Sequence, residues 1–141
     1  MDIRIRLGLL TAGLVLAVAP GLAAQEAALP ADVTPAMIEQ GKKIFHGKGL
    51  CVACHGQAAR GGLAPSLADT AWIHSRGSYE EIIAQIQRGV PAESSQSRTP
   101  MPPGGGGGLK PEEIRAVAAY VRSLRGQVAA LGPTVDCPEA N

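Results

Sequence analysis

A chain of 141 residues fits one domain, and an apolar content of 45% is ordinary for a globular fold. Only 3% is aromatic (Phe45, Trp72, Tyr79 and Tyr120) against 18 glycines and 11 prolines, so core volume has to come from elsewhere. A large apolar cofactor would supply it, at roughly 25 cal/mol per Å² of apolar area removed from water. A formal net charge of +1 offers no basic surplus for nucleic acid, which excludes that class of partner.

The first 24 residues read as a signal peptide. Arg4 and Arg6 form a short positive region, Leu7 to Ala19 is apolar and uncharged, and Pro20-Gly21-Leu22-Ala23-Ala24 ends in small residues. The apolar run is shorter than the about 20 residues of an ordinary span, so cleavage is expected near Ala24. The competing expectation is an uncleaved helical anchor, because Leu22 is bulky for its place before the cut. Either way the domain is exported, to the periplasm, and is membrane-tethered only if the segment stays. Removing Arg4 and Arg6 leaves 11 of the 13 basic residues, and removing Asp2 leaves 11 of the 12 acidic ones, so the mature chain is close to neutral. Residues 25–33 are an N-terminal extension, 34–126 the folded domain and 127–141 a tail.

Thr34-Pro35 opens a helix, Thr34 as N-cap and Pro35 at the first helical position, running to about His46 before Gly47 and Gly49. Met37, Ile38, Gly41, Ile44 and Phe45 make its apolar face. It delivers the chain into Cys51-Val52-Ala53-Cys54-His55. A structural zinc site needs four ligands, yet the only other cysteine is Cys137, and His46 and His74 form no pair at ligand spacing. A thioredoxin-like dithiol belongs to a strand–helix context that is missing here. A structural disulfide suits an exported protein but gives His55 no task. Covalent haem uses all three residues: two thiols bond the macrocycle, and the histidine beside them turns its imidazole to the iron. Lys42, Lys43 and Lys48 lie close by, either a docking patch for an acidic partner or ordinary solvated residues.

Ser66-Leu67-Ala68-Asp69 and Ser78-Tyr79-Glu80-Glu81 both carry a capping-box pattern. The first predicts a short helix to about Trp72. The second predicts a firmer helix with Ile82, Ile83 and Ile86 on one face, stopped by Gly89. Residues 91–109, with Pro100-Met101-Pro102-Pro103 and the run Gly104 to Gly108, are expected to form an irregular loop. The glycine run lacks the lysine and hydroxyl that a phosphate loop needs, so a flexible linker is the plainer expectation. A last helix starts at Pro111, with Glu112 and Glu113 in its first turn and Arg122 and Arg125 near its end, as the helix dipole favours. Ile114, Val117, Ala118, Val121 and Leu124 make its stripe, Tyr120 lies beside it, and Gly126 ends it. No mature segment alternates with period two, so the fold class is all-α with long loops and little or no sheet.

In its order of parts the chain resembles the class I cytochromes c over roughly residues 35–125: a first helix with Gly41 and Phe45, the CVACH site, Pro65 in "APSL", the helix "GSYEEIIAQIQRGVP", Met101 in "TPMPP" and the helix "LKPEEIRAVAAYVRSL". The resemblance implies helices around one haem c, bonded through Cys51 and Cys54, with the first and last helices crossing near Gly41, Phe45 and Tyr120. It implies His55 and Met101 as axial iron ligands, and the Pro65 carbonyl as acceptor for the other imidazole nitrogen. Met37 falls on the apolar face of the first helix, whereas Met101 lies between prolines that restrict its backbone. His74 is the rival sixth ligand; otherwise it is expected with Trp72 and Arg76 near the haem edge or propionates. The glycine run is longer than the family pattern, and Cys137 is an unpaired thiol that could join two chains or anchor a partner.

With both axial positions filled, iron has no open position, so the expected role is not enzymatic. It is a soluble, monomeric, periplasmic carrier of single electrons between redox protein partners. The alternative is a haem c electron-transfer subunit of a larger exported oxidoreductase, such as a dehydrogenase or haem-copper oxidase complex. A haem catalyst or gas sensor would require Met101 not to ligate.

Overall fold

The computed structural model describes residues 29–125. The signal segment, the predicted stop at Gly126 and the Cys137 tail lie outside them. Four α-helices follow in order: α1 (Pro35–His46), α2 (Cys51–His55), α3 (Tyr79–Arg88) and α4 (Pro111–Ser123), with a 3-10 turn at Pro103–Gly106. Among the described residues the only β pairing is an isolated bridge between Val90 and Met101, so the protein is all-α.

Caps set the helix ends much where their residues call for them. The Thr34 hydroxyl accepts the Met37 N–H at 3.2 Å, opening α1. In α3 the Ser78 hydroxyl accepts the Glu81 N–H at 3.3 Å and the Glu81 carboxylate accepts the Ser78 N–H at 3.2 Å, a complete capping box. Gly89 closes α3 at φ 70°, a conformation that favours glycine. At α4, Lys110 N–H donates to the Glu113 carboxylate at 2.8 Å.

The core is where α1 and α4 cross. A Cβ on Gly41 would fall on the carbonyl of Ala116, so only glycine lets the two backbones come so close. Phe45, fully buried, then stacks edge-on against Tyr120 with ring centroids 5.4 Å apart. Ile82, Ile83 and Ile86 of α3 are buried against the α4 stripe of Ile114, Val117, Val121 and Leu124, and Met37 packs on the same core. Tyr79 O–H donates to the Arg115 carbonyl at 3.1 Å, tying α3 to α4.

One predicted helix is absent. Residues 66–72 form no helix, only a run of bends at 67–70. Ser66 Oγ accepts from Ala68 N–H at 3.3 Å and Asp69 Oδ1 from Ala71 N–H at 2.9 Å. Each side chain thus bonds two residues ahead instead of closing a capping box, and these local bonds compete with helix.

The run Gly104 to Gly108 is no flexible linker either. Gly104, Gly105, Gly106 and Gly108 all have positive φ, and the first three lie in the 3-10 turn, where Gly104 is buried. Glycine is needed here to trace a left-handed path packed against the loop before α2.

Candidate functional site

α2 is only five residues long, and both of its ends are set by unusual backbone. Leu50 precedes it at φ 56° and Gly56 follows it at φ 77°. Its register places Cys51, Cys54 and His55 together on one cleft, whose empty space, open mouth included, is about 1160 Å³. Other walls come from α3 (Ile82, Ile86), α4 (Val117, Val121), the 64–75 loop (Pro65, Trp72, His74) and Met101. The lining is predominantly apolar side chain, as a macrocycle requires.

His55 has a defined orientation. Its Nδ1 lies 2.9 Å from the Pro65 carbonyl oxygen, and because a carbonyl only accepts, Nδ1 carries the proton and Nε2 keeps its lone pair. Burial pushes the imidazole below its ordinary value, opposed by that carbonyl bond, so the ring is held in the neutral form a metal ligand must have. The Pro65 contact is the one implied for it from sequence.

The two thiols are free, not joined as a disulfide. Cys51 S–H donates to the Gly49 carbonyl at 3.3 Å. Burial pushes its thiol up to about 11, its own backbone hydrogen bond opposing and the neighbouring Cys54 adding to the rise. A redox dithiol needs the opposite, a lowered thiol in an electropositive setting. Among the described residues no three His, Cys, Asp or Glu side chains gather into a metal cage, which also disfavours zinc.

Met101 is the other sulfur on the cleft. Its backbone is pinned by two hydrogen bonds to Val90, N–H to O and O to N–H, each 2.8 Å, with Pro100 and Pro102 on either side. Gly89 makes the approach possible, since a Cβ there would meet the Met101 carbonyl. His74 also reaches the cleft, but it sits at the rim, where it borders a second, shallower opening beside Arg88 and Ser94. The remaining histidine, His46, faces the carbonyls of Lys42 at 2.9 Å and Gln57 at 2.8 Å through its two ring nitrogens. It therefore braces α1 against the loop after α2 and is spent as a ligand.

Trp72 lines the cleft with a buried Nε1 that has no hydrogen-bond partner. A buried N–H without an acceptor costs on the order of 1–3 kcal/mol, and an acidic group on a bound macrocycle would satisfy it. Arg76 is not on the cleft wall; it pairs with Glu81 at 3.5 Å. Lys48 is likewise not a free docking charge, because its Nζ is held by Glu113 at 2.7 Å. Hydrogen bonds from Lys110 N–H and Lys48 Nζ hold the Glu113 carboxyl below its ordinary range. Leu50 and Ile73, 55% and 45% exposed, border the mouth and leave one apolar edge open.

The donor set, the two free thiols, the orphaned indole N–H and the apolar lining of the cleft fit a haem. Sequence reasoning missed two contributors, the helix at α2 and the packed glycine turn.

Residues 38–125 match the sequence model of the family described as Cytochrome c. The chain is similar to the Cbb3-type cytochrome c oxidase subunit FixP of Bradyrhizobium sp. (strain ORS 278), 40% identical over 90 residues that make up 62% of this chain and 30% of that protein. It is also similar to the FixP subunit of Bradyrhizobium diazoefficiens, 38% identical over 62% of this chain and 27% of the relative. With the Cbb3-type cytochrome c oxidase subunit CcoP of Rhodobacter capsulatus it shares 36% identity over 69% of this chain and 32% of the relative. The chain thus spans less than a third of the length of these relatives. No solved structure matches it.

Proposed function

The chain belongs to the cytochrome c family of haem electron-transfer proteins, and from that premise we propose that it is the haem c electron-transfer subunit of a larger exported oxidoreductase of the haem-copper oxidase kind. The sequence alone favours an independent periplasmic carrier. The relatives, several of them named as subunits of Cbb3-type oxidases, support the subunit instead. The observation that carries the electron-transfer role is the cleft shared by a neutral, oriented imidazole, two free thiols and a backbone-pinned methionine.

In this reading Cys51 and Cys54 would hold one haem through thioether bonds, His55 Nε2 and Met101 Sδ would be the donors to its iron, and the haem would supply one-electron exchange between Fe(II) and Fe(III). The protein's residues tune and protect that exchange. The Pro65 carbonyl, by accepting from Nδ1–H, fixes the tautomer and makes Nε2 a better donor. A methionine and a histidine together as iron donors would raise the potential. The buried walls from α3 and α4 exclude water, and the exposed edge at Leu50 and Ile73 is where a partner approaches. With both donors in place the haem would offer no open position for a substrate, and the chain's role would be electron transfer alone.

Native purification of the tagged full chain from membranes of its source tests the subunit assignment. The expected result is co-elution at fixed stoichiometry with a haem-copper oxidase catalytic subunit, identified by mass, and loss of terminal oxidase electron input when the chain is deleted. Elution as a lone haem protein, with oxidase turnover unaffected by the deletion, would return it to the independent-carrier role.

A further inference from the structure

The glycine turn touches the attachment loop backbone to backbone. A Cβ on Gly107 would fall on the Lys48 carbonyl oxygen and lie 2.9 Å from its carbon and 3.0 Å from Gly49 Cα. A Cβ on Gly105 would lie 2.6 Å from the Gly49 carbonyl oxygen and 3.5 Å from Cys51 Sγ. The surface they press on cannot yield easily. Gly49 is buried and its N–H donates to the Ile44 carbonyl at 2.8 Å, Leu50 N–H donates to Gly47 O at 3.0 Å, and Lys48 is tied to Glu113 of α4. On its other side the turn continues directly into Pro102 and Met101, whose backbone is bridged to Val90. Met101 is thus suspended between two fixed points, the Val90 bridge and the Lys48-Gly49 backbone.

We propose that Gly105 and Gly107 are positioning residues for Met101: by omitting side chains they set the separation between the Met101 segment and the loop that leads into Cys51, and so hold the methionine sulfur within reach of the iron. This rests on the assignment of Met101 as axial donor. It inverts the expectation that the glycine run is a flexible linker. An added methyl at Gly107 wedges the two backbones apart, and because core packing tolerates even one extra carbon poorly, the methionine segment moves outward rather than the attachment loop.

Three variants of the haem-loaded chain separate contact from backbone strain. Gly107 has φ −88°, open to any residue, so Gly107→Ala adds only the contact. Gly108 has φ +59° with nothing within 4 Å, so Gly108→Ala adds only the strain. Gly105→Ala adds both, and is read in place of Gly107→Ala if that variant does not accumulate as a haem protein. The methionine-to-iron charge-transfer band, carbon monoxide binding and far-ultraviolet circular dichroism are measured on each. Gly107→Ala is expected to weaken the band and raise the carbon-monoxide-reactive fraction about tenfold, a shift of the size that overpacking penalties produce, with helix content unchanged. Gly108→Ala is expected to match the wild type. A Gly107→Ala protein as inert as the wild type, or a Gly108→Ala protein equally reactive, overturns the proposal while leaving Met101 as donor. A wild-type protein that itself binds carbon monoxide overturns the Met101 assignment and this inference with it.

Discussion

Replacing Cys51 and Cys54 together by alanine is expected to abolish haem retention on a denaturing gel completely, while each single replacement leaves a reduced but visible haem stain. Both thiols lie on one short helix that opens onto the cleft, so each can form its own bond and neither depends on the other for placement. The consequence for the fold should be equally large. Without the cofactor, the predominantly apolar lining contributed by α3, α4 and the 64–75 loop faces water, and apolar burial stabilises at roughly 25 cal/mol per Å². Marginal domains have only about 5–15 kcal/mol in hand. The double variant is therefore expected to melt broadly and to bind hydrophobic dyes. Haem that survives denaturation in the double variant would show that the attachment is elsewhere.

Substitution of Gly41 by alanine is expected to lower the stability of the haem-loaded protein by about 3 kcal/mol, at the upper end of overpacking costs. Alanine is the better helix former, by about 1 kcal/mol, so intrinsic propensity alone predicts a gain. Packing decides the sign. The new Cβ would overlap the Ala116 carbonyl, a backbone atom that no rotamer change can move aside. α1 and α4 must separate, and the Phe45–Tyr120 contact between them loosens. At about 4–8 °C per kcal/mol for a domain of this size, the melting temperature should fall by roughly 12–24 °C. An unchanged or raised melting temperature would mean that the helices do not meet at Gly41.

The parts of this protein that could be read from its sequence are those dictated by short-range rules. Thr34-Pro35, Ser78 with Glu81 and Gly89 fixed the ends of α1 and α3, because caps are local chemistry. The spacing of Ile82, Ile83 and Ile86 gave the buried face of α3 for the same reason. The cysteine pair and histidine were legible as a unit, and Pro65, Met101 and the crossing at Gly41 followed from resemblance to a family with a fixed order of parts. What failed depended on which of two local choices the surroundings reward. Ser66 and Asp69 satisfy a capping pattern and a turn pattern equally in sequence, and the turns prevail in a loop that has to line a cleft. The glycine run suggested slack, whereas its positive φ values and its contact with Lys48 and Gly49 make it a spacer. Lys48 reads as a solvated charge until α4 brings Glu113 to it. The sequence alone favours the free carrier and keeps the oxidase subunit as its alternative, since both need the same cleft and differ in what docks at its edge.

The most direct test of the account is the optical spectrum of the exported, haem-loaded protein, oxidised and reduced, with and without carbon monoxide, for wild type and Met101→Ala. Ligation by His55 and Met101 predicts a low-spin c-type spectrum with the methionine-to-iron charge-transfer band, indifferent to carbon monoxide in the wild type and reactive once Met101 is removed. A wild-type protein that binds carbon monoxide readily, or a Met101→Ala protein whose spectrum is unchanged, would contradict ligation by His55 and Met101 and with it the closed, electron-transferring centre.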